Sequence, residues 1–187
     1  MAVSERDKML RGDLYIATDP ELKAGRTRAR LLRNRFNAAD PADLELGTAV
    51  LRELLGDLGA GAWIEPPFHC DYGSQIRLGA RAFVNMNCTF LDSAAIEIGE
   101  AAKLGPGVQL LTATHPLDAS ARAAGPELAR AISIGARTWL GGGVIVCPGV
   151  TIGGDTVVGA GSVVVRDLPS GVLAVGNPCR VVRQLDA

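Results

Sequence analysis

Histidines and aromatic residues are scarce in this chain, with two His, two Trp, two Tyr and four Phe among 187 residues. Two histidines are too few for the three-His zinc site of a carbonic-anhydrase-type hydratase, and no metal is expected. A formal net charge of -1 supplies no basic field, and so few aromatics supply no stacking surface, so nucleic acid is not an expected partner. No run approaches the ~20 apolar residues of a membrane span, and the first residues lack the apolar stretch of a signal peptide. No membrane partner and a cytoplasmic location are therefore expected. The four cysteines, Cys70, Cys88, Cys147 and Cys179, form no CxxC pair. They are read as buried small hydrophobes rather than disulfides, with Cys147 the one to watch as a nucleophile.

Glycine and aliphatic residues, by contrast, are abundant and periodic: 23 Gly in a chain that is 48% hydrophobic. Between Ile134 and Asp167 an aliphatic residue returns at every sixth position, at Ile134, Leu140, Val146, Ile152, Val158 and Val164. Four places after each stand Thr138, Val144, Val150, Thr156, Ser162 and Leu168, all small or branched. Such a period fits neither a helix nor one continuous strand; it describes a short strand, a corner and another short strand returning to one inner wall. Gly135, Gly141, Gly153 and Gly159 follow the aliphatic positions, where a tightly turning backbone benefits from having no Cβ.

The same rhythm runs upstream through Leu58, Ile64 and Cys70, then Leu78, Val84 and Phe90, then Ile98, Leu104 and Leu110. Three beats close a coil of about 18 residues, a triangular prism of short parallel strands as in a β-helix. The step from Ile98 to Ile134 exceeds one of the longer coils by 16 residues, so one corner ejects a loop at 112–131. Loops of that size are usually functional or disordered. This one carries His115 at its base, held toward an extended conformation by Pro116, and His115 is the candidate catalytic residue.

Ahead of the prism, the pattern predicts three helices. Ser4 and Asp7 resemble a capping box for a helix through Tyr15, and Asp19-Pro20 opens a second from Glu21 to Phe36. Asp40-Pro41 with Asp43 opens a third, whose apolar face uses Leu44, Val50, Leu51, Leu54, Leu55 and Leu58 and which ends near 56–61. Arg26, Arg28, Arg30, Arg33 and Arg35 are spread round the second helix and read as a solvated face. The chain thus divides into an N-terminal helical segment, 1–57, and a β-helix domain with a C-terminal tail, 58–187.

Several runs carry a resemblance along nearly the whole chain: Lys8 to Tyr15, Asp19 to Leu22, Pro66 to Gly73, Asn85-Met-Asn87, Thr112 to Asp118, Trp139 to Gly143, Gly159 to Val164 and Val175 to Arg180. In these the sequence resembles the maltose, galactoside and nodulation-factor O-acetyltransferases of the hexapeptide-repeat superfamily. The resemblance implies a mainly β fold, a left-handed parallel β-helix capped by N-terminal helices, assembled as a homotrimer with active sites between neighbouring prisms. The left hand departs from the usual crossover rule and does not follow from the period.

The activity implied is acetyl transfer from acetyl-CoA to a sugar hydroxyl. An imidazole, with an intrinsic pKa near ~6.5, suits His115 to take the hydroxyl proton as the C–O bond forms and to return one to the leaving thiolate, so no acyl-enzyme is needed. The resemblance assigns oxyanion stabilisation and acceptor positioning to Asn85 and acceptor binding to Asp71. Read from the residues alone, Asn85 and Asn87 are equally corner residues that tolerate left-handed backbone. For acetyl-CoA the resemblance places Gly142 and Ala160 along the pantetheine arm, Val165 and Arg166 at the adenine end, and Arg180 and Arg183 near the 3′-phosphate, where a guanidinium fork is a good partner. Gly141-Gly142-Gly143 is no P-loop, because no Gly-Lys-Ser/Thr follows.

Relatives usually carry an acid beside the Leu-Tyr motif, where this chain has Ile16 and Ala17, and galactoside-type members carry one at Ser93. Arg166 replaces a common Lys. The acceptor is thus left open among sugars and oligosaccharides. The alternatives are a xenobiotic acetyltransferase acting on a drug hydroxyl and a non-catalytic β-helix scaffold.

Overall fold

A computed structural model describes residues 3–186. Three helices come first: α1 (Glu5–Arg11), α2 (Pro20–Asn37) and α3 (Leu44–Leu54). Their starts follow the sequence signals. Ser4 accepts the Asp7 N–H at 3.0 Å, Asp19 the Glu21 N–H at 2.9 Å and Asp43 the Leu46 N–H at 2.9 Å, caps worth about 1 kcal/mol each. Asp40 instead closes the preceding turn on Ala42.

Two helix ends differ from expectation. α1 stops at Arg11, because Gly12 takes a left-handed conformation (φ 76°) and its N–H returns to the last turn. Tyr15 then enters an extended bridge with Glu127. α3 stops at Leu54, and Leu58 belongs to the first strand of the prism, Asp57–Leu58.

The prism is a left-handed parallel β-helix of about six turns. Its first face stacks Asp57–Leu58, Ile76–Leu78, Ile96–Ile98, Ile132–Ile134 and Thr151–Ile152. The second stacks Trp63–Ile64, Phe83–Val84, Lys103–Leu104, Trp139–Leu140, Val157–Val158 and Val172–Gly176, and Cys179–Gln184 folds back antiparallel on the last of these. The third stacks Phe68–Cys70, Cys88–Leu91, Gln109–Leu111, Ile145–Val146 and Val163–Val164. Register follows the hexads: Leu58 pairs with Leu78, Leu78 with Ile98, Ile98 with Ile134 and Ile134 with Ile152.

Side chains alternate in and out of these strands, so the sixth-position aliphatics from Ile64 to Val164 line a continuous buried core. The hydroxyls among the companion positions are inside as well and are satisfied by corner carbonyls. Thr138 donates to Gly153 at 3.1 Å, Thr156 to Pro169 at 2.8 Å and Ser162 to Gly159 at 2.6 Å.

The glycines after the aliphatics are required for a different reason from the one expected. Gly141 does not have positive φ; a Cβ there would lie 2.5 Å from the backbone nitrogen of Ala160 on the next coil. Close stacking of coils, not turning, excludes a side chain. The left-handed corner positions are separate and include Arg81, Asn87, Ala101, Arg137 and Asp155.

Cys70, Cys88 and Cys179 are buried free thiols, and Cys147 is half-buried. Among the described residues no helix is long and apolar enough to cross a membrane.

Candidate active site

The ejected loop leaves the corner between the third and first faces. Ala113–Thr114 leaves the prism and Leu128–Ala129 returns antiparallel beside it, with a short helix, α4 (Ala119–Ala123), at the far end. Asp118 caps that helix on Ala121 at 2.8 Å. His115 follows Thr114 directly and is exposed. The other histidine, His69, points outward from the third face, in the strand Phe68–Cys70.

Below the loop on the same corner stand Asp71 and Ser93. With Tyr15, Ala17, Thr18, Arg26, Tyr72, Ala113 and Glu127 they line a cleft of roughly 360 Å³. The corner is built on Asp92, whose fully buried carboxylate accepts the N–H groups of Asp71 (3.0 Å), Tyr72 (2.8 Å) and Gln75 (3.3 Å). Thr112 accepts the N–H of Ala94 at 3.0 Å just above. Burial pushes the Asp71 carboxyl above its ordinary range, with the Arg26 guanidinium opposing the shift.

Arg26 comes from α2 and donates to the Tyr72 hydroxyl and to the Ala17 carbonyl, both at 2.6 Å, while its guanidinium carbon lies 5.7 Å from the Tyr72 ring centre. The solvated-face reading fails for this arginine: it reaches the cleft. Arg28 is also engaged, donating to the Glu53 carbonyl at 2.6 Å. Arg26 and Glu127 are cleft residues that sequence reasoning missed, and Tyr15 stood on the matched run Lys8 to Tyr15 with no role assigned. The break of α1 at Gly12 puts Tyr15 on an extended segment.

The corner between the second and third faces carries a different set. Asn85, Gly105, Gly141 and Gly159 occupy equivalent places, since the N–H groups of Asn85, Gly105 and Gly141 donate to Leu104, Leu140 and Val158 on the next coil. Gly142 and Ala160 follow on the same edge, with the Gly161 N–H donating to the Gly142 carbonyl at 2.9 Å. At about 4.8 Å per coil, Gly142 stands two coils, about 10 Å, from the Asn85 level, and Ala160 stands about 14 Å from it. This makes a straight track.

The two asparagines part company here. Asn87 has φ 62° and is a left-handed corner residue, whereas Asn85 has no positive φ and accepts the Met86 N–H through Oδ1 at 2.8 Å. That bond uses the Asn85 amide oxygen, and among the described residues no protein group accepts from its amide nitrogen.

The remaining donor-side candidates lie apart from this track. Val165 and Arg166 follow Val163–Val164 on the corner that carries Asp71, several coils away. Arg180 and Arg183 are exposed on the returning strand Cys179–Gln184, paired opposite Val175 and Leu173. A single chain therefore gathers His115 with the Asp71 cleft along one edge and Asn85 with Gly142 and Ala160 along another. Cys147 sits half-buried, and burial raises its thiol above the ordinary value, which disfavours a thiolate nucleophile.

Comparisons with known proteins cover the whole chain. Residues 8–59 match the maltose acetyltransferase hexapeptide capping motif. Nodulation protein L of Rhizobium meliloti is 48% identical over 181 residues, covering 97% of this chain and 99% of that protein. The crystal structure of a maltose O-acetyltransferase from Clostridium difficile 630 superposes with a TM-score of 0.98 at 43% identity, covering 100% of both chains. A hexapeptide-repeat acetyltransferase of Vibrio cholerae, solved in complex with acetyl-CoA, gives 0.91 at 40% identity, covering 99% of this chain and 100% of that one. At these identities and coverages the chain belongs to the maltose/galactoside/nodulation-factor O-acetyltransferase family of hexapeptide-repeat acyltransferases and is an acetyl-CoA-dependent acetyltransferase.

Proposed function

We propose that the enzyme transfers the acetyl group of acetyl-CoA to a hydroxyl of a sugar or oligosaccharide by direct attack, with His115 as general base. The observation that carries this reading is the make-up of the cleft beneath the loop. Asp71 and Glu127 bring carboxylates, Arg26 a guanidinium, and Thr18, Ser93 and Tyr15 hydroxyls. A carboxylate only accepts and a guanidinium only donates, so the cleft suits a ligand that presents donors and acceptors at close intervals, as the hydroxyls of a sugar ring do. An apolar drug would desolvate these groups without repaying them, at about 1–3 kcal/mol for each one left unpaired. This favours the sugar over the xenobiotic acceptor.

His115 deprotonates the acceptor hydroxyl as it attacks the thioester and then protonates the departing thiolate, a contribution of about 10² to 10⁴ in rate. Asn85, with its amide hydrogens free, stabilises the oxyanion and positions the acceptor; one such donor contributes about 2.7–4 kcal/mol. Asp71 binds the acceptor. Gly142 and Ala160 border the pantetheine arm along their edge, Val165 and Arg166 meet the adenine end, and Arg180 and Arg183 meet the 3′-phosphate. Because His115 and Asn85 occupy different edges of one prism, the complete site is formed between neighbouring prisms of a homotrimer, the edge of one chain facing the loop of the next.

The deciding experiment is an acceptor screen with acetyl-CoA across mono- and oligosaccharides and chloramphenicol, following CoA release and product mass. Acetylated sugar supports the reading; turnover of chloramphenicol alone replaces it with the xenobiotic one.

A further inference from the structure

We infer that Glu127 is an acceptor-reading residue, its carboxylate accepting a hydrogen bond from the hydroxyl next to the one that reacts; this rests on the sugar O-acetyltransferase reading above. The inference starts from the register of the loop. Ala113 pairs with Ala129 and Thr114 with Leu128, and the Arg130 N–H donates to the Thr112 carbonyl at 2.9 Å. The paired strands end at Thr114 and Leu128; extended one step past them, the same register brings His115 opposite Glu127. Hydrogen-bonded and non-hydrogen-bonded rungs alternate in an antiparallel ladder, and residues facing each other across a rung put their side chains on the same side. Counting from the bonded rung at Thr112 and Arg130, His115 and Glu127 fall on a non-bonded rung, where side chains stand closest.

The backbone of Glu127 agrees with that count. Both of its peptide groups turn the other way, to Tyr15: the Tyr15 N–H donates to the Glu127 carbonyl at 3.1 Å and the Glu127 N–H to the Tyr15 carbonyl at 2.9 Å. The side chains repeat the link, the Tyr15 hydroxyl donating to Glu127 Oε2 at 2.9 Å. Tyr15 is 1% exposed, so it holds the carboxylate from its buried side. Among the described residues no protein group bonds Oε1, and Glu127 is part of the cleft wall that Asp71, Arg26 and Ser93 share. A carboxylate clamped through one oxygen and open at the other, on the same face as the base, has the form of a fixed acceptor for a ligand hydroxyl. Its place beside His115 makes the hydroxyl that it reads the neighbour of the one deprotonated, so it selects acceptors with vicinal hydroxyls and fixes which of them is acetylated.

The test uses acetyl-CoA with methyl β-D-glucopyranoside, methyl β-D-galactopyranoside, methyl N-acetyl-β-D-glucosaminide and their monodeoxy forms. In Glu127→Gln the amide oxygen still receives the Tyr15 hydroxyl while the charge is gone, and Glu127→Asp keeps the charge but withdraws it. Glu127→Gln is expected to raise the acceptor KM on the order of ten- to a hundred-fold, the loss of one charge-assisted hydrogen bond, with the acetyl-CoA KM unchanged and Glu127→Asp in between. On the deoxy glycoside that lacks the hydroxyl read by Glu127, wild type and Glu127→Gln should become equal. An unchanged acceptor KM overturns the inference, as does a displaced pH profile of kcat with the acceptor KM unaltered, which would make Glu127 a partner of the imidazole instead. Wild-type enzyme inert toward every glycoside removes the sugar reading and this inference together, whereas wild-type turnover with an unaffected Glu127→Gln removes this inference alone.

Discussion

The carboxylate of Asp92 accepts the backbone N–H of Asp71 at 3.0 Å from the adjoining coil of the same corner. Tyr72 and Gln75 donate to the same carboxylate, so one buried side chain shapes the turn that carries the floor of the cleft. Burial pushes the Asp92 carboxyl up to about 7, although these backbone donors oppose the shift. With a folded value above the unfolded one of ~3.9, the folded chain binds this proton more tightly. The stabilisation is complete below about pH 4 and is lost as pH rises to about 7. Unfolding in urea across pH 4–8 should therefore show the stability difference between wild type and Asp92→Asn moving in favour of Asn as pH rises. Asp92→Ala, which takes the acceptor from three N–H groups, that of buried Tyr72 among them, should cost about 3 kcal/mol at any pH.

His115 is exposed and packs into no core, so His115→Ala should leave the unfolding curve and oligomeric mass unchanged. Turnover should fall by about 10²–10⁴. Steady-state kinetics with a sugar acceptor checks this, and near-normal turnover would remove the general base.

Arg180 and Arg183 project from the strand that closes the prism and are exposed, so Arg180→Gln and Arg183→Gln should spare stability. Each is expected to raise the acetyl-CoA KM roughly ten-fold, the value of one charge-assisted contact, with the acceptor KM unaltered. Dephospho-CoA thioesters provide the control: the effect should disappear when the 3′-phosphate is absent.

Adjacent glycines should separate folding from donor binding. A Cβ at Gly141 meets the Ala160 nitrogen at 2.5 Å, whereas one at Gly142 has the Pro106 carbonyl oxygen as its nearest neighbour, at 3.4 Å. Gly141→Ala should destabilise by about 1–3 kcal/mol, as overpacking does. Gly142→Ala should stay within about 0.5 kcal/mol of wild type and raise the acetyl-CoA KM instead. Thermal unfolding and donor kinetics on the pair make the comparison.

The period of six was legible because flat strands of a few residues, repeated coil on coil, keep each aliphatic on the same inward side. Ile134 pairs with Ile98 and with Ile152, as the spacing required. The loop was legible for the same reason, as the one place where the beat is interrupted. The cleft was legible only in part. Asp71 lies on a run that matches a family and Ser93 marks a departure from it, but the Tyr15 hydroxyl reaches Glu127 across 112 positions and Arg26 reaches Tyr72 across 46. No local pattern encodes such meetings. The spacing of the arginines on α2 told which way each points, not what the prism would set before Arg26. Similarly, composition could not separate Asn85 from Asn87, since the difference lies in a backbone angle that the coil beneath imposes.

The coil from Ile96–Ile98 passes its pairing directly to Ile132–Ile134, as though the residues between them had never been inserted. The loop is thus a parenthesis in the chain: it opens and closes at one corner, on adjoining strands. The part of it between His115 and Glu127 can be rewritten without disturbing a single rung of the wall. On the proposed reading, a change in that stretch alters the acceptor while the proposed donor track at Gly142 and Ala160 stays as it is.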